Sequence, residues 1–531
     1  MEPSHLPTSI RKRDGRTIPF EPEKLSRSLF NASEAMGAAD AFLARELADS
    51  VIHFLAHEID SGALTTQRLV ELVVKVVREL GYPALAKAYE ERSRQATAKT
   101  STAIEAAPGK PEEIPHTLDP LTILYAAGRH ALGDVSLADV YPRDLASAHR
   151  EGLLTLMDLD TPREMVGMVF SPNQPLPLDG WELLDHLTRV RGLAGSFVAL
   201  DGPEHAIAAR DGIPEEMTSN FNLILDRSLW LSNLHAILNL NSAEAPGWAA
   251  PLNLGALFQE FQQEMENERL DRIALYLLRH AKNQTVYWHL SERDFPEEKS
   301  QRLRKIIARS IDRERVEFVF DRPKRPVVLG PGVDRRNPAV LGMVGMNLPR
   351  FVDQLGGGPL EPDLFLKKLA SLTRFAKSAG HARQDYLRKN GRGPLHEGFL
   401  LERATQVVFP MGLIEASCKI MPMEKDLDAL AALARRCLAT IKTTLETDRP
   451  RTLATRIDSP LRPDPQNELR AQFGLLARQQ LKFGAAVQGS AAASCLTVFL
   501  KRNDSAVVNE IAEMLRTAWN GDMERLRFAW E

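Results

Sequence analysis

Cysteine is scarce in this chain. Of 531 residues only three are cysteines, Cys418, Cys437 and Cys495. No two of them stand in a CxxC spacing, which excludes a disulfide framework and a zinc ribbon. Long apolar runs are missing as well. The N-terminus, MEPSHLPTSIRKRDG, has no signal-peptide core, and no later segment approaches the ~20 apolar residues of a membrane span, so a cytoplasmic protein without a membrane partner is expected. Nor is there an excess of one charge. Lys+Arg 67 against Asp+Glu 70 leaves −3, which removes any global attraction to nucleic acid or an anionic surface. An anionic ligand would have to be bound locally.

Other absences narrow the chemistry. No repeat of 20–50 residues occurs. His53 and His57 stand four apart on one helical pattern, a spacing that can ligate zinc, but no third ligand converges, so no metal site is expected. The glycine-rich pieces LGPG (329–332), LGGG (355–358) and Gly484 to Gly489 lack the GxxxxGK[ST] spacing of a phosphate loop and read as ordinary loops.

What is present describes a folded protein: 44% hydrophobic and 26% charged residues, with Gly 32 and Pro 33. The length exceeds what one core supports, so a small and a large domain are expected. Ser9 to Arg94 reads as a short basic strand pair turning at Asp14-Gly15, then four helices. The first opens with Pro22, buries Leu25, Leu29, Ala32 and Met36, and stops at Gly37. The second runs from about Asp40 to Asp60 with Leu43, Leu47, Val51 and Leu55 inward; the third starts near Thr65-Thr66 and ends before Gly81; the fourth carries Ala84, Ala88 and Tyr89. Thr97 to Pro120 holds four prolines among small polar residues, which suits a linker. Beyond it helical patterns alternate with apolar segments such as 236–241, 340–348 and 495–500, which suit buried strands and therefore an α/β body.

Ile10 to Arg16 concentrates basic side chains on a tight hairpin, and Lys24 adds one in the first turn of a helix. A helix N-terminus with adjacent cations suits a polyphosphate. The order KRDG, FEPEKL, LTTQRLVELVVKVVREL and ALAKAYEERSR resembles the ATP-cone, the regulatory domain that binds ATP or dATP in ribonucleotide reductases, over residues 8–98. By that resemblance Lys12, Arg13 and Lys24 face the phosphates, Asp14 and Gly15 belong to the same nucleotide-binding set, Thr65 lies near the nucleotide, and Tyr89 and Arg92 close the site. ATP or dATP is then an allosteric ligand.

After a linker at 99–118, several blocks between 119 and 531 resemble the anaerobic (class III) ribonucleoside-triphosphate reductases in order. They include Asp139-Val140-Tyr141-Pro142, AILNLNSAEAPGW (236–248), LGMVGMNLPR (341–350), MGLIEAS (411–417) and TVFLKRNDSAVVNEIAEMLRTA (497–518). The resemblance implies a ten-stranded α/β barrel. It also implies a cysteine ahead of LGMVGMNLPR, yet residues 1–417 contain none; Leu154 to Met157 stands where the family carries histidines; and the chain ends near where a zinc ribbon and radical glycine would follow. Cys418 is the only cysteine beside a family-like block, and among apolar neighbours it reads as a core residue. The expectation is a catalytically silent, nucleotide-responsive regulatory or assembly protein with no catalytic residues, working as a homo-oligomer or with a reductase-related partner. The alternative is the barrel subunit of a split reductase whose radical glycine comes from another chain.

Overall fold

A computed structural model describes residues 9–11, 17–58, 64–95, 120–170, 193–208, 235–242, 256–281, 284–296, 300–311, 315–323, 325–357, 359–391, 399–424, 426–447, 453–459, 476–488, 495–500 and 507–530, with 185, 221 and 225. The linker at 99–118 lies outside them. The chain forms two compact units, Met1–Thr155 and Leu156–Glu531.

In the first unit, β1 (Ser9–Arg11) pairs antiparallel with β2 (Thr17–Pro19) and parallel with β3 (Leu64–Thr65). Four helices follow the expected pattern: α1 (Pro22–Ala35), α2 (Ala41–Glu58), α3 (Thr66–Glu79) and α4 (Pro83–Gln95). Pro22 starts α1 because its fixed φ and missing N–H cost nothing in a first turn. Leu25, Leu29, Val51, Leu55, Val73 and Val77 form the core. Two details differ from expectation: Met36 is the C-cap of α1 and 43% exposed, and Leu43 is only half-buried. Both sit at helix ends, the C-cap of α1 and the first turn of α2. Two more helices, α5 (Pro120–Asp139) and α6 (Arg143–Arg150), belong to this unit, α6 packing on α1 and α2.

The second unit is built on one large, mostly parallel sheet. After β4 (Leu154–Leu156) come β5 (Met165–Phe170), β6 (Ala194–Asp201), β7 (His235–Leu240), β8 (Thr285–Leu290) and β9 (Val316–Phe320). These last five are mutually parallel neighbours in chain order. A small hairpin follows, β10 (Val328–Gly330) and β11 (Val333–Asp334). Then come β12 (Ala339–Asn347), β13 (Ala404–Met411), β14 (Ala454–Ile457), β15 (Cys495–Leu500) and β16 (Arg525–Trp530). The continuous strand order is β14-β13-β12-β5-β6-β7-β8-β9-β16-β15. β12 meets β5, and β16 meets β9, antiparallel, so one five-stranded half is flanked on both sides by strands of opposite direction. The two ends of the path approach each other, because Cys495 donates its backbone N–H to Ser459 Oγ at 2.9 Å and Arg525 pairs with Asp458.

The apolar runs read as strands at 236–241, 340–348 and 495–500 are β7, β12 and β15. β7, β8 and β9 are buried nearly throughout, as parallel strands covered on both faces must be. Gly484 corrects the loop expected there: Ala477–Gln488 is helical through it. A Cβ on Gly484 would lie 2.5 Å from Leu496, so glycine serves close packing of this helix on β15.

Candidate functional site

The expected nucleotide site is built on the small sheet of the first unit. Parallel pairing sets Arg11 opposite Thr65, and antiparallel pairing sets Arg11 opposite Thr17. Arg11, at the end of β1, therefore stands beside the start of α3; Lys12, Arg13, Asp14 and Gly15 lie outside the described residues. Thr65 is the N-cap of α3, its Oγ1 accepting from the Arg68 N–H at 3.2 Å. Lys24 lies in the first turn of α1, 58% exposed, its Nζ 2.8 Å from Glu21 Oε1. Glu21, the N-cap, gives no side-chain bond to the first-turn N–H groups, so this end of α1 keeps its positive dipole end uncapped by its own N-cap residue.

Tyr89 and Arg92 are on α4, which packs against α1 and α3. Tyr89 is buried, and burial pushes its phenol up to about 12. It packs as a core residue. Arg92, one turn on, is exposed. Lys24, Thr65 and Arg92 thus stand on three elements that the β1–β3 pairing and the α1–α4 packing hold together. Arg68 was not singled out by sequence, although it is a second exposed cation in a helix first turn, paired with Glu71 at 3.3 Å. Its signal was a cation three residues after a capping threonine. His53 is exposed on α2, and the side chain of His57 lies outside the described residues.

An apolar cluster packs on one face of the large sheet. Phe197, Ala199, Ile237, Tyr287, Val319, Val340, Met343, Val407 and Phe409 form one buried cluster with Leu329 and Val333 of the β10–β11 hairpin. LGPG is the turn of that hairpin. It is held from several sides: Asn239 Nδ2 donates to Leu329 O at 2.9 Å, Thr405 Oγ1 donates to Gly332 O at 2.6 Å, and Gly332 N donates to Asp458 Oδ2 at 2.6 Å. Just beyond it, Arg456 pairs with Asp334 at 2.5 Å and Arg335 with Asp201 at 2.8 Å.

Polar layers bound this apolar belt. Asp201, Asn239, His289 and Asp321 stand two residues beyond Ala199, Ile237, Tyr287 and Val319, so strand alternation places them on the same face. His289 Nδ1 lies 2.8 Å from Asp321 Oδ1, and Nε2 lies 3.0 Å from Asn239 Oδ1. The Asn239 amide N–H groups are committed to two backbone carbonyls, so its oxygen faces His289 and the imidazole donates to it. Glu204 accepts from Asn241 N at 2.8 Å, and burial raises its carboxyl to about 7. The other layer joins Arg525 to Asp458, Glu317 and the Tyr287 hydroxyl, with Arg527 on Glu317. Cys495 lies in this layer, its thiol pushed up to about 12 by burial. Cys418 is half-buried on the helix Leu413–Ile420, and burial, then Glu415, raise its thiol too. Neither environment favours a thiolate.

Residues 8–96 match the model of the ATP cone domain. The second likeness is to solved structures. The anaerobic ribonucleotide reductase from Thermotoga maritima, in its structure with citrate in the active site, is similar at a TM-score of 0.56 and 12% identity, covering 78% of this chain and 91% of that one. Its structure in complex with dATP and CTP gives 0.56 at 11% identity, over 77% and 84%. A further anaerobic ribonucleotide reductase gives 0.55 at 11%, over 77% and 79%. At such identities the likeness is one of fold. No curated protein matches the chain by sequence. The chain therefore joins a region that matches the ATP cone domain to a mixed α/β unit, and its fold is similar to that of the anaerobic ribonucleotide reductases. Among the described residues no helix is long and apolar enough to cross a membrane.

Proposed function

We propose that this chain is an adenine-nucleotide-responsive relative of the anaerobic ribonucleotide reductases that no longer reduces ribonucleotides, and that its output is a change of assembly, with itself or with a reductase-related partner. Residues 8–98 are the sensor, where Lys12, Arg13, Asp14, Gly15, Lys24 and Thr65 meet ATP or dATP, and Tyr89 and Arg92 support the site from α4.

The observation that carries the silent body is the seated hairpin. The resemblance puts a reactive cysteine ahead of β12, in the stretch 321–340; here that stretch is cysteine-free and supplies Leu329 and Val333 to a packed core. Leu329 and Val333 are 0% and 1% exposed there, so the stretch serves packing where the resemblance puts a reactive group. Three further features support the reading: the cone match, the uncapped end of α1, and the pairing that brings Arg11 beside Thr65.

Calorimetric titration of the full chain with ATP and with dATP tests the sensor. Anaerobic assay of the reduced chain with each ribonucleoside triphosphate and a radical activase tests the silence. Binding without turnover is expected. Deoxynucleotide formation would return the chain to the reductases, and absence of binding would remove the sensor.

A further inference from the structure

The two sides of α5 differ in kind. Ser136 and Leu137 are buried in the first unit, and Gly133 is half-buried. On the other side Gly128, Ala131, Leu132 and Val135, at positions i, i+3, i+4 and i+7, are exposed and line up as one apolar stripe, which Ala138 extends by a further turn. Leu132 and Val135 are 45% and 46% exposed. Contiguous apolar surface of this kind marks an interaction site, where a single exposed apolar residue would not. The edge of the stripe is charged. His130 and Asp134 each precede a stripe residue, and they pair along the helix, His130 Nε2 lying 3.8 Å from Asp134 Oδ2 with the side chains 65% and 64% exposed. Arg129 stands next to His130, and Asp139 lies beyond Asp134, so the helix is basic before Leu132 and acidic after it.

We propose that this stripe is where two copies of the chain meet, their α5 helices antiparallel and Leu132 against the partner's Leu132. Charge selects both the occupant and its direction. A two-fold axis at Leu132 sets Asp134, two residues to one side, opposite the partner's His130, two residues to the other, and symmetry repeats the pair. A parallel copy would set Asp134 against Asp134 and His130 against His130, like facing like. An imidazole donates to a carboxylate in either of its protonation states, so the antiparallel pairs do not require a charged histidine. Gly128 and Ala131 let the helices approach closely, while Leu132 and Val135 supply the apolar area. This deepens the assembly reading by naming the partner, a second copy, and rests on that reading only for its link to nucleotide. The link is structural: α6, the next helix, packs on α1 and α2, so contact and sensor belong to one compact unit.

The test uses the full chain without nucleotide, its mass followed by sedimentation across a concentration series, so the result does not depend on the sensor. Wild type is expected to pass from one chain to two. Leu132→Glu sets two carboxylates face to face in the apolar contact and is expected to raise the dimer dissociation constant about tenfold or more. Asp134→Lys and His130→Glu each set like charges across the contact and are expected to weaken it about threefold or more. Mixing those two variants restores opposite charges at both pairs of the mixed dimer, so the mixture is expected to dimerise as wild type does. A change confined to the fold of one chain could not be rescued by mixing. Wild type that stays a single chain, a mass that Leu132→Glu leaves unchanged, or a mixture no tighter than its components overturns the contact. Calorimetry with ATP and dATP judges the sensor separately, and failure there leaves this contact standing.

Discussion

Gly332 at the tip of the internal hairpin gives its N–H to Asp458 Oδ2 at 2.6 Å, and the other oxygen of that carboxylate receives Arg525 of β16. One buried side chain therefore fastens the hairpin and bridges the place where the two ends of the sheet approach. Asp458 follows β14, and Arg525 opens β16, residues separated by 67 positions in the chain. The hairpin and the closure of the sheet stand or fall together.

Gly332→Ala should expose that dependence. Gly332 has φ +72°, and an added Cβ would lie 2.3 Å from Val407 Cγ2. Left-handed strain and overpacking together should lower the unfolding free energy by about 2–4 kcal/mol. Asp458→Ala, which leaves Arg525 buried without its partner, should cost about 3–5 kcal/mol. Urea denaturation of the full chain checks both; midpoints equal to wild type would mean the hairpin is not seated.

Glu204 should make the large unit less stable as pH rises. Its carboxyl is raised from 4.5 to about 7 by burial. The folded state therefore prefers the protonated form, and this contribution is full below 4.5 and lost as pH rises through about 7. The shift corresponds to about 3 kcal/mol. Glu204→Gln cannot ionise, so its melting temperature relative to wild type should climb between pH 5 and pH 8. A constant difference across that range would refute the assignment.

Lys24→Ala should raise the dissociation constant for ATP and dATP at least about threefold, the loss of one cation near a helix N-terminus. Its pair with Glu21 is exposed at both partners, 58% and 49%, so thermal stability should not move measurably. Calorimetry beside a melting curve separates the two effects; equal affinities would place the phosphates elsewhere.

Saturating ATP or dATP should change the mass distribution of the full chain, and Lys24→Ala should move that response to at least about threefold higher nucleotide without altering the nucleotide-free distribution. A ligand shifts assembly only through its different affinities for the two states, so the response must follow binding. Light scattering across a titration, alone and with candidate partners, reads it directly; identical masses would reduce the cone to a bound but silent sensor.

The helices α1 to α4 and several strands of the second unit were legible because their signals are local. Pro22 sets the start of α1, Thr65 caps α3, and the runs that became β7, β12 and β15 are apolar enough to be buried on both faces. The lack of cysteine through residue 417 was equally plain. Local patterns failed where a distant partner decided the outcome. Met36 fits the stripe of α1 yet is the C-cap and 43% exposed. Gly484 looks like a loop residue until Leu496 is seen to need its missing Cβ. LGPG became the buried turn of a hairpin only because Asn239, Thr405 and Asp458 arrive from three other strands or strand ends. Asp144 carried no signal at all, since its burial comes from the packing of α6 on α1 and α2. Periodicity and end signals are properties of a few neighbouring residues and so determine elements. Which side chains share a buried layer depends on strand order and register, and those arise only when segments far apart in the chain pack against each other.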